Sequence, residues 1–288
     1  MLSLHTNAAA MNIQKAVGNT RSQLETTMTR LGTGLRINSA KDDAAGLQIA
    51  VRLQAQTRGM GVAMQNTQNA SSMLQTADGA FGEVTNVLYR MKDLATQAAD
   101  GSSNDEDKKA MQAEYDALGK ELANIMSNTS YGGAKLIGET GGKLGAAVTF
   151  QIGASADEKM TFNVSTELGK VHTDLKAASA AFTTPGGTTP GTDLTADANA
   201  MIGKLEAALG SVGAMRSAIG AGENRLDHVY NNLSNMSMNT ADASGRIMDA
   251  DMATESAKMS SQQVLMQASM AMLKQSSSMN QMVLSLIQ

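Results

Sequence analysis

Apolar residues recur along most of this chain at spacings of three, four and seven, the mark of helices that bury one face. Between positions 4 and 31, Leu4, Ala8, Met11, Ile13, Val17, Leu24, Met28 and Leu31 outline a first amphipathic helix, closed by Gly32 and Gly34. A longer seam starts at Gly46 and runs through Ile49, Leu53, Met60, Ala63, Ala70, Leu74, Ala77, Phe81, Val84, Leu88, Met91 and Ala95 to Ala98. Gly46, Gln56 and Thr67 are its only breaks. It predicts one helix of about 55 residues, roughly 80 Å long. Ser39 and Asp42 have capping-box spacing just before it, which predicts a start near Ala40.

Asp100-Gly101-Ser102 interrupts the pattern, and Ser103 with Glu106 repeats the capping-box spacing. Met111, Tyr115, Leu118, Leu122 and Ile125 then form a strict heptad series. The short connection predicts that this helix folds back antiparallel on the long one. Alternation with period two over Ala147–Ile152 and Lys159–Val164, joined by Gly153–Glu158, predicts a β-hairpin. Residues 179–193 hold both prolines among Thr and Gly and read as an exposed loop. Helix resumes at Asp193, with Leu205, Val212, Ile219, Leu226 and Leu233 seven apart, and loosens at Ala241–Gly245. Asp249, Asp251 and Glu255 place negative charge at the start of a last helix. Its end, Ser260–Gln288, carries Leu265, Ala268, Met272, Met279, Met282 and Leu286 on a heptad beat, with one polar interruption, Gln275. Ser, Gln and Asn make it too polar for a membrane span. Such a stripe needs a partner. The fold class is mainly α: long antiparallel coiled-coil helices with one small β-hairpin region.

Composition narrows the function. There are 22 Met, four Phe, four Tyr, no Trp and no Cys, which suits long helix-on-helix packing rather than an aromatic core. A net charge of −4 with no basic block gives no support to nucleic acid or membrane as partner. No cofactor or metal site emerges. His5, His172 and His228 lie in three separate segments, and Gly138–Lys143 has one residue too few for a phosphate loop. Asn104–Asp107 reads as helix capping rather than a calcium loop, and the C-terminal methionines as packing rather than soft-metal ligands. No catalytic constellation is present, so the chain reads as a structural protein, not an enzyme. Its first residues lack the charged and apolar regions of a secretory signal, so it is expected to be cytosolic or exported by another route.

Several blocks carry a family resemblance: Arg30-Leu-Gly-Thr-Gly-Leu-Arg-Ile-Asn-Ser-Ala-Lys-Asp-Asp-Ala-Ala-Gly-Leu47, Leu74-Gln-Thr-Ala-Asp-Gly-Ala80, Ile247-Met-Asp-Ala-Asp-Met-Ala-Thr-Glu255 and Val283-Leu-Ser-Leu-Ile287. In order and at these distances, over residues 1–165 and 195–288, the chain resembles the bacterial flagellins, subunits of the flagellar filament. Its Leu2–Asn7 opening and Met-rich composition are similar to lateral flagellins. The resemblance implies a plan: residues 1–34 and 244–288 as the inner D0 helices, 35–167 and 197–243 as D1, and 168–196 as a short variable loop, with outer domains absent or reduced to it. It implies an extracellular, self-assembling motility filament, exported by the flagellar type III apparatus. The implied partners are further copies of the chain, an export chaperone, the filament cap and hook-associated junction proteins. A hook–filament junction protein, or another flagellin-like secreted coiled-coil protein, is the alternative.

Site residues follow from the same resemblance. A polymerisation seam is expected at Leu24, Leu31, Leu265, Met272, Met279, Met282 and Leu286. There the C-terminal stripe would pack against the N-terminal stripe of the same and neighbouring subunits. Contacts to Toll-like receptor 5 are implied at Tyr89, Arg90, Asp93, Leu94 and Glu114, with Tyr89 and Asp93 standing where receptor-active members often carry Gln and Glu. Thr183, Thr184, Thr188 and Thr189 are candidate O-glycosylation acceptors.

Overall fold

A computed structural model describes residues 7–139, 141–184 and 191–287; for 280, 281 and 283–287 it describes the backbone alone. Seven α-helices, two short antiparallel strand pairs and one 3-10 turn follow one another among the described residues. The chain divides into a terminal unit, residues 1–57 with 238–288, and a central unit, residues 58–237.

In the terminal unit, α1 (Ala8–Thr33) starts at Asn7, whose side-chain oxygen accepts from the Ala10 amide. It ends at Gly34, in the left-handed conformation (φ 73°) with its amide donating to the Arg30 carbonyl. After a turn, α2 (Ala44–Ala99) begins. Ser39 and Asp42 do not cap it. The Asp42 carboxylate accepts from the Asn38 and Ser39 amides within the turn, and Asp43 accepts from the Gly46 amide at 2.9 Å. The helix therefore starts four residues later than the capping-box spacing predicts. Gly46 is needed for packing: a β-carbon there would stand 2.8 Å from Ile37 Cδ1. Ile37, Ala50 and Met248 form a small core. Backbone bonds from Arg36 to Met248 and from Ala250 to Gly34 tie the turn to the junction of α6 (Asp193–Met248) and α7 (Met252–Ile287). Asp251 starts α7, accepting from the Ala253 amide and from the Thr254 hydroxyl. Helix continues through 241–245, where the pattern loosens.

The central unit holds the main core. Residues of α2 from Ala70 to Ala98 are buried on the heptad positions read from sequence, together with Leu205, Val212, Ile219 and Leu226 of α6. Thr67, polar in that seam, is buried with its hydroxyl donating to the Ala63 carbonyl. α3 (Asp105–Asn128) returns with Met111, Tyr115 and Leu122 inward, and its capping box is Asn104 with Asp107, one residue later than expected. β1 (Ser130–Tyr131) and β2 (Ala134–Lys135) close a tight Gly132–Gly133 turn, and β3 (Val148–Gln151) pairs with β4 (Lys159–Phe162).

Residues 168–178 are not loop. They belong to α4 (Ser165–Ala178), which buries Leu168, Val171, Leu175 and Ala178 in the core. Their three-and-four spacing is a helical face, masked in the sequence by the Thr-Gly-Pro cluster that follows. α5 (Ala180–Thr183) follows directly. The chain entering α6 is clamped to α3. Asp116 accepts from the Gly191 amide (2.8 Å) and Gln112 from the Leu194 amide (2.6 Å). Asp193 Oδ2 accepts from the Ala180 amide. Within α6, Asp197 is non-helical and its carboxylate caps the Ala200 amide, so the long helix proper starts there.

Candidate assembly surface

α1 and α7 pack against each other, and two contacts fix their sense. Asn7 Nδ2 donates to Ser276 Oγ (3.3 Å), and Arg30 Nη1 lies 3.5 Å from Glu255 Oε1. The start of α1 therefore meets the far part of α7, and the pair is antiparallel. Its inner side on α1 is Ile13, Val17, Thr20, Leu24, Thr27 and Leu31, of which only Leu24 and Thr27 are buried. On α7 it is Glu255, Met259, Gln262, Met266, Ser269, Leu273 and Ser276, spaced four and three apart. Only Glu255 is buried among the described side chains of α7. Lys258 Nζ lies 2.8 Å from the same Glu255 oxygen that meets Arg30, while Oε2 and the Gln262 side-chain oxygen have no hydrogen-bond partner.

The heptad read from sequence is a different face. Leu265, Met272 and Met279 are 53%, 60% and 56% exposed, and Met282 also stands at the surface. This exposed face is distinct from the inner side of α7. Leu265 and Met272 each lie one residue, about 100° of helical turn, from an inner position, Met266 and Leu273. The inner face was hard to read because Gln262, Ser269 and Ser276 alternate with its apolar residues; the outer face has the cleaner apolar beat. Leu24 and Leu31 sit within the α1–α7 pair. The Leu286 side chain, like Thr188 and Thr189, lies outside the described residues.

In the central unit, Tyr89, Arg90, Asp93 and Glu114 are exposed, with Arg90 Nη2 2.7 Å from Glu114 Oε1. Leu94 is only 3% exposed and belongs to the core, so it supports this surface from beneath. Thr183 and Thr184 are exposed, the Thr183 hydroxyl donating to the Ala180 carbonyl. No periodicity marks Arg216, whose guanidinium grips Asp78 through both oxygens (2.9 and 3.1 Å) and joins α6 to α2 within the central unit. The Gln112–Asp116 clamp also falls outside the apolar pattern; two polar residues four apart on the inward side of α3 were the available signal.

The remaining chemistry is sparse. Burial pushes the Glu223 carboxyl above its usual range, with the charges of Asp78 and Asp227 adding to it. A polar groove of about 490 Å³ is lined by Thr67, Ser71, Gln75, Asp227 and Tyr230 among others, without the apolar walls of a small-molecule site. Among the described residues there is no group of three metal-ligating side chains, and no helix is long and apolar enough to cross a membrane.

Fold and surface together define a class: long-helix proteins whose two chain ends pair while a second apolar face stays uncovered. The chain matches the bacterial flagellin N-terminal helical region over residues 4–141 and the bacterial flagellin C-terminal helical region over residues 202–287. It belongs to the bacterial flagellin family. It is 45% identical over 175 residues to polar flagellin B/D of Vibrio parahaemolyticus, covering 61% of this chain and 44% of that protein. Against flagellin A of Vibrio anguillarum it is 45% identical over 164 residues, 57% and 42% of the two chains. The chain thus spans less than half the length of these curated relatives. A solved structure described as a flagellar hook-associated protein from Vibrio parahaemolyticus superposes with a TM-score of 0.58 over 72% of this chain and all of that one; at 17% identity it shows the fold alone.

Proposed function

We propose that this chain is a non-enzymatic structural subunit that polymerises into the extracellular bacterial flagellar filament. The observation that carries the reading is the uncovered Leu265–Met272–Met279 face of α7. A helical stripe of this kind is unfavourable in water and is covered by further copies of the molecule. A contact between unlike surfaces that does not close into a ring propagates as a helical filament.

Energetics point the same way. Among the described side chains, α1 and α7 bury only Leu24, Thr27 and Glu255. Full burial of an apolar side chain contributes about 1.5–3 kcal/mol, whereas ordering costs roughly 1–2 kcal/mol for each backbone residue. The pair alone is poorly stabilised and gains its order on association. In this plan residues 1–34 and 244–288 form an inner layer, and residues 35–167 with 197–243 form the layer around it. The segment 168–196, which holds the end of α4, all of α5 and the start of α6, takes the place of outer domains. Leu24 and Leu31 act from within the α1–α7 pair, while Leu265, Met272 and Met279, continuing through Met282 toward Leu286, meet neighbouring copies.

The test is a chain lacking residues 260–288, examined by electron microscopy after salt-induced polymerisation. It should form no filaments while residues 58–237 stay helical; normal filaments would refute the reading. A junction protein rests on the fold likeness alone, whereas the sequence identity is to flagellins. A receptor contact at the exposed Tyr89, Arg90, Asp93 and Glu114 is a separate reading, favoured by the solvent-facing Arg90–Glu114 pair. Arg90→Ala should then lower Toll-like receptor 5 signalling without altering the fold, and an unchanged response would remove it.

A further inference from the structure

Most methionines of the central unit are buried and most of those described in the terminal unit are exposed, with Met236 (37% exposed) and Met248 (8%) the reverse. In the central unit, Met60, Met73, Met91, Met126, Met160 and Met215 are at most 5% exposed. In the terminal unit, Met11, Met28, Met238, Met252, Met272 and Met279 are 50% to 60% exposed, and Met270 is 47% exposed. The chain has no Cys, so thioethers are its oxidisable sulfur. On the uncovered α7 face, Leu265 does the same apolar work as its neighbours without that reactivity. A methionine there brings something that leucine does not.

We infer that Met272 and Met279 form an oxidation-sensitive modification site on α7, at which a peroxide-class oxidant turns self-association off. The inference rests on the assembly reading above. In the reaction the peroxide O–O bond breaks. One oxygen bonds to the thioether sulfur, which loses two electrons, and the other leaves as water. The product is a sulfoxide, polar where the side chain was apolar. Its strong S=O dipole lies on the face that must be dehydrated when a second copy packs there, and burying it without a hydrogen-bond donor is unfavourable. The central core is shielded by burial, so the subunit stays folded; Met11, Met28, Met238 and Met252 are exposed and oxidise as well, and the leucine variant separates their effect from that of the α7 face. A methionine sulfoxide reductase with a dithiol reverses the step. The sulfoxide oxygen leaves as water, and the dithiol becomes a disulfide.

The experiment uses the full monomeric chain treated with graded hydrogen peroxide, with oxidation mapped by peptide mass spectrometry. Met272 and Met279 should convert at doses that leave Met60, Met91 and Met215 intact. The concentration needed for salt-induced polymerisation should then rise roughly tenfold, about the effect of 1.4 kcal/mol. Methionine sulfoxide reductase with dithiothreitol should restore it. Whatever concentration the untreated Met272→Leu, Met279→Leu variant needs to polymerise, the same dose should leave that concentration unchanged. Unimpaired polymerisation of the oxidised wild type, or equal loss in the leucine variant, overturns the inference and leaves the assembly reading intact. Failure of the untreated chain to polymerise overturns both.

Discussion

The packing of the β3–β4 hairpin on α6 makes a sharp prediction through two glycines of one helix. A methyl group at Gly222 would stand 2.6 Å from Phe162 Cε2 and 3.2 Å from Leu74 Cδ1. Both neighbours are buried and cannot swing into solvent. At Gly213, nine residues earlier on α6, nothing lies within 4 Å. Alanine at either site gains the same helix propensity, about 1 kcal/mol over glycine. At Gly222 the added carbon must also push Phe162 or the helix aside, an overpacking cost of about 1–3 kcal/mol. The gap between Gly213→Ala and Gly222→Ala therefore isolates the clash. For a unit of this size it amounts to roughly 2–12 °C in the unfolding midpoint. Thermal unfolding of the monomer, followed by circular dichroism at 222 nm, reads it directly. Gly213→Ala should raise the midpoint and Gly222→Ala should fall below it by that margin. Equal shifts in the same direction would refute the packing of the hairpin against α6.

Three further predictions follow from the caps and the clamp. Asp43→Ala removes the acceptor for the Gly46 amide and should destabilise the start of α2 by about 1 kcal/mol, whereas Asp43→Asn should be near neutral, both read by urea unfolding. The Asp251 carboxyl is held below its usual range by the Thr254 hydroxyl and the Thr254 and Ala253 amides, and Asp42 by the Ser39 and Asn38 amides and the Ser39 hydroxyl. A depressed carboxylate stabilises above its unfolded value, about 3.9, and that stability is lost as pH falls through the folded one. Asp251→Asn should flatten the acid limb of the helical signal below about pH 4, and an unchanged limb would contradict this. Asp193 has the opposite sign, its carboxyl raised by burial first and by Asp116 further, so acid relieves rather than adds strain at the loop clamp. Asp116→Ala strands the Gly191 amide and the Gln112 side-chain amide and should cost about 1–3 kcal/mol in urea unfolding, while Asp193 titrates lower by NMR.

The seam of α2 from Met60 to Ala98 was legible because every inward position there is apolar or small, and a helix in a two-sided core repeats that choice turn after turn. Before Met60 the same beat misled: Ile49 is exposed and Ala50 is buried, because small residues fit beside Ile37 and Met248. Caps were read one to four residues early, since Ser, Asp and Asn crowd each helix start and only geometry decides which oxygen meets which amide. α4 was hidden by the composition of the loop that follows it. On α7 the heptad stripe read from sequence is exposed within the single chain. A periodic stripe says that a face will be covered, and carries nothing about whether its own chain or another copy covers it. The inner face, built from Met259, Gln262, Met266 and Leu273 around a buried Glu255, tolerates polar residues because it packs only partly. That tolerance made it invisible to a hydrophobic count.

The central claim is that Leu265, Met272 and Met279 meet neighbouring copies. A filament grown from the full chain and reconstructed by electron cryo-microscopy, with side chains of α7 resolved, tests it most directly. These three residues should lie buried against helices of adjacent subunits, with Met259, Met266 and Leu273 still facing α1 of their own chain. A reconstruction in which they face solvent or an open channel would contradict the account.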